Sequence, residues 1–209
     1  MMHIHRMNEL HEAFIAHIKE SDPILFREVE RNGELTWHPQ RPHFEALCRT
    51  IIGQQLSTKA AATIAMRFQA WSERAGGPKP EVVLKADVNE LRALGLSGQK
   101  TSYIAALAEA WITNDDLHRL EQLEDEEVVG ALTAIKGIGE WTAQMFLLFT
   151  LRRRDVFAPR DLGIKKAMAR LYNLSMASSD RELVAFSERW SPYRSMACRH
   201  LWQVLDAVD

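Results

Sequence analysis

Apolar side chains recur every three to four positions along nearly all of this chain, the interval that gathers them on one face of a helix. Residues 8–19 place Leu10, Phe14, Ile15 and Ile18 at that interval and predict an amphipathic helix. Asp22-Pro23 opens a second, short helix that Gly33 ends. The proline-punctuated stretch 38–42 is a link of the kind that joins two lobes. Residues 44–54 are apolar enough for a buried helix, and 57–74 predict another with Ser57 as its N-cap. Gly76-Gly77-Pro78 is a break. Short helices follow at 89–94, 100–112 and 126–135, with Gly95 and Gly98 bracketing the turn before the second of these. Residues 145–151 continue a strongly apolar helix, Asp161 or Leu162 opens one that runs to Tyr172, and 179–190 and 193–208 close the chain. No alternating run, internal repeat or low-complexity tract interrupts this pattern. The expected fold is all-α.

Composition narrows the classes. The 209 residues are 46% hydrophobic and 26% charged, enough apolar material for a core and too much for a disordered chain. A formal net charge of −2 argues against a nucleic-acid partner only until the charge is read locally. Residues 131–170 hold eight basic side chains (Lys136, Arg152, Arg153, Arg154, Arg160, Lys165, Lys166, Arg170) against three acidic ones (Glu140, Asp155, Asp161). The acidic excess lies elsewhere, as in 121–127. Cys48 and Cys198 are two thiols in apolar helical surroundings, too few for a four-thiolate metal site and expected to be buried and free. His3 and His5 read as a polar tail rather than metal ligands, and the first eight residues carry no apolar run of signal-peptide length. No stretch approaches the roughly 20 apolar residues of a membrane span. A cytoplasmic location and no membrane partner are expected.

The most informative segment is Leu132-Thr133-Ala134-Ile135-Lys136-Gly137-Ile138-Gly139-Glu140-Trp141-Thr142-Ala143. An apolar helix end runs into Gly-Ile-Gly and a new helix starts at once. Two glycines around one aliphatic residue allow a very tight turn, since each adopts positive φ at little cost. Ile138 would plug the gap between the helices. The second helix starts with unpaired N–H groups and a positive dipole end, and glycines without side chains let a phosphate approach that backbone. A Gly-Ile-Gly triplet alone is equally an ordinary helical hairpin; the apolar positions before it and Thr-Ala after it make the pattern specific. Downstream lies Val156-Phe157-Ala158-Pro159-Arg160-Asp161-Leu162-Gly163-Ile164-Lys165-Lys166, in which Asp161 follows Pro159, opens a helix and stands 22 positions beyond Gly139.

Hairpin, Gly/Pro-rich connection and single downstream Asp together resemble the helix-hairpin-helix DNA glycosylase superfamily. Two further segments are similar to its alkylation-repair branch, the DNA-3-methyladenine glycosylase II family in a short form without its extra N-terminal domain. They are Ile51-Ile52-Gly53-Gln54-Gln55-Leu56-Ser57 with Lys59-Ala60-Ala61, and Arg189-Trp190-Ser191-Pro192-Tyr193-Arg194-Ser195 followed by Ala197 and Trp202. The resemblance implies that Asp161 is the catalytic carboxylate, a fixed negative charge beside a deoxyribose that turns cation-like as the base leaves. Asp161 also suits the N-cap of its own helix, and both roles hold together, since capping N–H groups favour its charged form.

The resemblance further implies a base pocket of Trp141, Trp202 and Met145, where electron-rich rings stack on an electron-poor alkylated base. It assigns Gln55 to the gap left by an extruded nucleotide, a place the family also fills with Leu. Gln54 and Gln55 read equally as polar groups at a helix end. Phosphate contact is implied for Gly137, Ile138, Gly139, Thr142, Lys136 and Lys165, and the backbone carbonyls of Thr133, Ile135 and Ile138 match a site for Na+ or K+. No cofactor is required. Relatives that also nick the strand carry a nucleophilic Lys at the position Trp141 occupies, so hydrolysis without lyase activity is expected. Trp37, Trp71, Trp111 and Trp190 are expected to be structural.

The expected architecture is therefore a two-lobed helix-hairpin-helix glycosylase fold with its active site in a cleft. Residues 1–42 would pack with the C-terminal lobe, 43–155 would form the central lobe with the hairpin at 132–143, and 156–209 would carry the Asp161 helix and the last helices. The expected function is a monofunctional DNA glycosylase, acting as a monomer on 3-methyladenine and 7-methylguanine in damaged double-stranded DNA. A glycosylase for uracil, oxidised purine or a mismatch, and a module that grips DNA without chemistry, use the same features.

Overall fold

The computed structural model describes residues 2–36 and 39–206, with side chains over 9–36 and 39–205. The expectations for the His3 and His5 side chains and for Trp37 lie outside that range. In chain order the helices are α1 (Met2–Ser21), α2 (Pro23–Asn32), α3 (His43–Gly53), α4 (Thr58–Arg74), α5 (Pro80–Lys85), α6 (Val88–Ala93), α7 (Gly98–Thr113), α8 (Asp125–Thr133), α9 (Glu140–Met145), α10 (Leu162–Tyr172), α11 (Asp180–Ser187) and α12 (Arg194–Asp206). Short 3-10 turns occupy Asp115–His118 and Glu188–Trp190, and Phe146–Thr150 forms a π-helical extension of α9. Among the described residues there is no strand, and no helix is long and apolar enough to cross a membrane. The all-α expectation holds.

The helix starts follow their caps. The Asp22 carboxylate accepts the N–H groups of Ile24 and Leu25, Ser57 accepts Ala60 N–H, Ser97 accepts Lys100 N–H, and Ser179 pairs with Glu182 in a capping box. Helix α5 escaped the sequence reading: it has only six residues, with Pro80 at its first turn, directly behind the glycine-proline break. The helix expected over 145–151 runs to Thr150, and it widens to π at Phe146, burying Phe146, Leu147 and Leu148 in succession.

The chain divides into two units, residues 39–151 and residues 1–38 with 152–209. In the first, α3 is the central element. Its Leu47, Cys48, Ile51 and Ile52 are fully buried, and it packs against α4, α7, α9 and the π segment. Ile104 and Leu107 of α7 and Val128 and Leu132 of α8 complete that core.

In the second unit α12 packs on α2 and α10, and Trp190 is fully buried. Asp22 is only 2% exposed and its buried oxygens are satisfied: beyond the two capping N–H groups it accepts the Trp190 indole at 2.8 Å and the Tyr172 hydroxyl at 2.7 Å. Tyr172, Phe186 and Trp190 form an aromatic cluster around that carboxylate. Cys48 and Cys198 are buried and free as expected, and burial pushes the Cys198 thiol up to about 12, which removes it from thiolate chemistry.

Candidate functional site

The hairpin is built in the first unit. Helix α8 ends at Thr133, the chain turns through Gly137 at φ +92°, and Gly139 caps α9. Only one of the two glycines is needed for its backbone angle. Gly139 has φ −96°, open to any residue, so the expectation of positive φ at both is corrected. Its lack of a side chain matters differently: a Cβ there would meet nothing, so the backbone faces open space. Gly137 is doubly constrained, because a Cβ would lie 2.1 Å from the Tyr103 ring in addition to the positive φ. Ile138 is the expected plug, 4% exposed, and its N–H goes to the Ile135 carbonyl at 3.0 Å. That bond takes the Ile138 N–H out of the set of phosphate donors assigned from the sequence.

Thr142 is likewise buried, and its hydroxyl accepts Gln54 Nε2 at 3.3 Å; what it offers a phosphate is its backbone N–H in the first turn of α9. Gln54 Nε2 also donates to the Gly137 carbonyl at 3.0 Å. Sequence reasoning gave Gln54 no more than a place at a helix end, and Tyr103 no place at all. Lys136 is exposed beside the turn, and Gln55 is exposed with φ +57°, a left-handed conformation that non-glycine residues adopt at a cost. Thr133 ends its helix, so its carbonyl is among those without an intrahelical donor, and Ile135 and Ile138 follow closely in the turn. Uncharged backbone oxygens are the donor chemistry of a monovalent cation. Among the described residues there is no group of three His, Cys, Asp or Glu side chains suited to a metal.

The carboxylate is built in the second unit. The approach to Asp161 is fastened to the start of α12. The Arg194 guanidinium holds Asp155 through two bonds, Nε to Oδ1 at 2.9 Å and Nη2 to Oδ2 at 3.0 Å, while Ser191 adds a third. Burial raises the Asp155 carboxyl, but these hydrogen bonds outweigh it and hold the group below the usual carboxylate range. Ser195 then donates to the Arg153 carbonyl at 2.6 Å and accepts the Val156 N–H at 2.9 Å.

Beyond this anchor Asp161 caps α10, its Oδ1 accepting Ile164 N–H at 2.8 Å, as expected for an Asp before a helix. The Trp202 indole also donates to Oδ1, at 2.8 Å. Asp161 is 9% exposed. The contact exists because residue 163 is glycine: a Cβ there would lie 2.8 Å from Trp202 Cδ1, 3.0 Å from its Nε1 and 3.1 Å from Asp161 Oδ1. Gly163 is therefore a site residue that sequence reasoning passed over, since only the folded chain brings Trp202 across it.

The structure thus joins Asp161 and Trp202 directly, and puts Trp141 and Met145 one turn apart on α9, Trp141 half-buried and Met145 buried. Lys165, assigned to phosphate, is half-buried with Nζ 3.3 Å from Asp180, which also holds Arg160 at 2.7 Å. The Arg160 hydrogen bond, then Lys165, keeps the Asp180 carboxyl below its usual range.

Comparison with known proteins places these features in a family. The model of the HhH-GPD superfamily of base excision DNA repair proteins matches residues 48–192. DNA-3-methyladenine glycosylase 1 of Schizosaccharomyces pombe is 35% identical over 168 residues, 79% of this chain and 74% of the relative. DNA-3-methyladenine glycosylase 2 of Escherichia coli is 32% identical over 167 residues, 76% of this chain and 56% of the relative. The structure of the S. pombe 3-methyladenine DNA glycosylase (Mag1) in complex with abasic DNA superposes with a TM-score of 0.81 at 33% identity, covering 91% of this chain and 95% of that one. These relatives carry the names of the alkylation-repair branch that the sequence resembles. Since the matched span contains both the Gly137–Gly139 turn and Asp161, the chain belongs to the HhH-GPD superfamily of base excision DNA repair proteins.

Proposed function

We propose that this protein is a monofunctional DNA glycosylase that hydrolyses the N-glycosidic bond of alkylated bases, 3-methyladenine and 7-methylguanine, in duplex DNA. Water adds to C1′ of the deoxyribose, the base departs, and an abasic site remains. The observation that carries this reading is the Asp161 carboxylate, fixed in place by a backbone N–H and an indole N–H. A preorganised charge of that kind stabilises a cation-like sugar more than the neutral ground state. An alkylated purine leaves readily, so one carboxylate suffices. Trp141, Trp202 and Met145 serve the base, Gln55 the gap in the duplex, and the backbone around Gly137 and Gly139, with Thr142, Lys136 and Lys165, the strand. The backbone carbonyls of Thr133, Ile135 and Ile138 suit a Na+ or K+ ion. Trp141 carries no amine, so no Schiff base forms with the sugar. The protein acts as a monomer.

The test is chromatography of bases released from DNA treated with a methylating agent, beside uracil-containing, oxidised and mismatched duplexes. The expected outcome is release of 3-methyladenine and 7-methylguanine, loss of that release by at least about a thousandfold in Asp161→Asn, retained binding to methylated duplex, and no adduct trapped by borohydride. Equal release by both forms overturns the role of Asp161; release of another base class overturns the substrate; a trapped adduct overturns the hydrolytic reading.

A further inference from the structure

The hairpin turn is held from two sides by side chains that no phosphate contact requires. From the C-cap of α3, Gln54 directs one amide N–H to the Gly137 carbonyl at 3.0 Å and the other to the Thr142 hydroxyl at 3.3 Å, bridging the turn and the first turn of α9. From α7, the Tyr103 ring covers Gly137 so closely that a single added carbon would fall within 2.1 Å of it. The Tyr103 hydroxyl accepts Gln99 Nε2 at 2.6 Å, from one helical turn earlier. A third tie closes the triangle: Lys100 Nζ donates to the Ile52 carbonyl at 2.7 Å, joining α7 to the last turn of α3. Burial lowers the Lys100 pKa from its usual value, as expected for an ammonium withdrawn from water.

Gln54 is also the residue before Gln55. The chain leaves α3 at Gln54 in extended conformation (φ −53°, ψ 130°) and reverses at once into the left-handed Gln55. The side chain that clamps the hairpin therefore belongs to the peptide that aims Gln55. A strained backbone persists only where its surroundings over-determine it, and the Gln54 bonds do so on the N-terminal side.

We infer that Gln54 and Tyr103 are positioning residues that fasten the Gly137 turn to the end of α3, so that the gap-filling loop at Gln55 and the phosphate-gripping hairpin move as one rigid edge. The inference rests on the proposed function for the roles of the two ends, but the mechanical coupling is this chain's own geometry. Gripping a phosphate at Gly137 then fixes where Gln55 meets the duplex, without a contact between them.

The test is a double-variant cycle read on DNA affinity, by fluorescence anisotropy with an undamaged and an abasic-site duplex. Gln54→Met keeps the side chain's length and removes both donors; it is expected to weaken binding to the abasic duplex about two- to tenfold, the range for one or two modest hydrogen bonds. Gln55→Ala weakens it in the wild-type background and weakens it less in Gln54→Met, because the loop is no longer held for insertion. Tyr103→Phe keeps the ring over Gly137 and retains wild-type affinity, whereas Tyr103→Ala loses it. Amide hydrogen exchange over 137–142 accelerates in Gln54→Met and in Tyr103→Ala. Independent, multiplicative effects of Gln54→Met and Gln55→Ala overturn the coupling, and equal losses in Tyr103→Phe and Tyr103→Ala overturn the role of the ring. Neither readout uses base release, so a wild-type protein that binds these duplexes but frees no methylated base defeats the proposed activity and leaves the coupling to be judged on its own.

Discussion

Gly163→Ala adds one methyl group at the point where the proposed chemistry is most exposed to disturbance. An added Cβ would sit 2.8 Å from Trp202 Cδ1 and 3.1 Å from Asp161 Oδ1, inside the distances that real Cβ atoms tolerate. The backbone at 163 needs no positive φ, so the whole effect is steric. Trp202 Cδ1 belongs to a rigid ring and cannot fold aside like the end of a lysine, so the ring shifts and its N–H leaves Asp161 Oδ1, now at 2.8 Å. A hydrogen bond to a charged group contributes about 1.5–3 kcal/mol. If that bond orients the carboxylate in the transition state, its loss slows base release about 10- to 100-fold. Overpacking adds a stability cost of about 1–3 kcal/mol, or a Tm lowered by about 2–12 °C for a chain of this length.

The assay is single-turnover release of 7-methylguanine, with Tm and DNA affinity measured alongside. Trp202→Phe, which keeps an aromatic face and removes the N–H, is the partner variant. If both changes act through one bond, Gly163→Ala with Trp202→Phe releases base no more slowly than the worse single variant. Wild-type release by Gly163→Ala, or fully multiplicative losses in the double variant, refutes the reasoning that Trp202 positions Asp161.

Two other outcomes follow from the geometry. The hairpin glycines separate: Gly137→Ala collides with Tyr103 and strains the backbone, lowering Tm, while Gly139→Ala enters open space, leaves Tm within about 2 °C of wild type, and weakens DNA binding by blocking the close approach to α9, as anisotropy would register. Acid destabilises the second unit: burial, then the neighbouring His11 and Arg199, pushes the fully buried His200 down to about 3, so it stays neutral when folded while the unfolded imidazole takes a proton below its ordinary 6.5. The stability present above pH 6.5 is therefore lost as pH falls toward 3, by up to about 1.4 kcal/mol per pH unit, and urea melts of His200→Phe should be flatter over that window; an unchanged slope would exclude His200 as the cause.

What the sequence displayed well was whatever depends on neighbours along the chain. Helical spacing, the Ser57 cap, the Gly33 stop and the Gly-Ile-Gly turn are local facts, and each stands where its residues dictate. Short elements that hang on one residue were missed, as with α5 behind its glycine-proline break. The site was legible where a motif is contiguous and illegible where it is assembled from afar. Asp161 announced itself by its place after the hairpin, but the Trp202 indole reaches it across 41 positions, and Gly163 earns its role only from that approach. Gln54 reaches Gly137 across 83 positions, and nothing in its own surroundings distinguishes it from a polar helix end.

The limits of local pattern are clearest in two aspartates that look alike in sequence. Asp22 and Asp161 each cap a helix, and each accepts a tryptophan indole from far along the chain, over 168 and 41 positions. At Asp22 the capping N–H groups take Oδ1 while the Trp190 indole and Tyr172 hydroxyl take Oδ2, so both oxygens are committed to protein donors and the residue is 2% exposed. That arrangement satisfies both oxygens of a buried side chain, and it leaves no oxygen edge to face a sugar. At Asp161 the capping N–H and the indole converge on the same oxygen, Oδ1. A cap and an indole donor therefore mark both aspartates alike, and what singles out Asp161 is its place after the Gly137–Gly139 turn, inside the matched family span that leaves out Asp22. The indole contact at Asp161 is set by tertiary packing, here by the absence of a side chain at Gly163, which is why the sequence points to that aspartate by motif and not by chemistry.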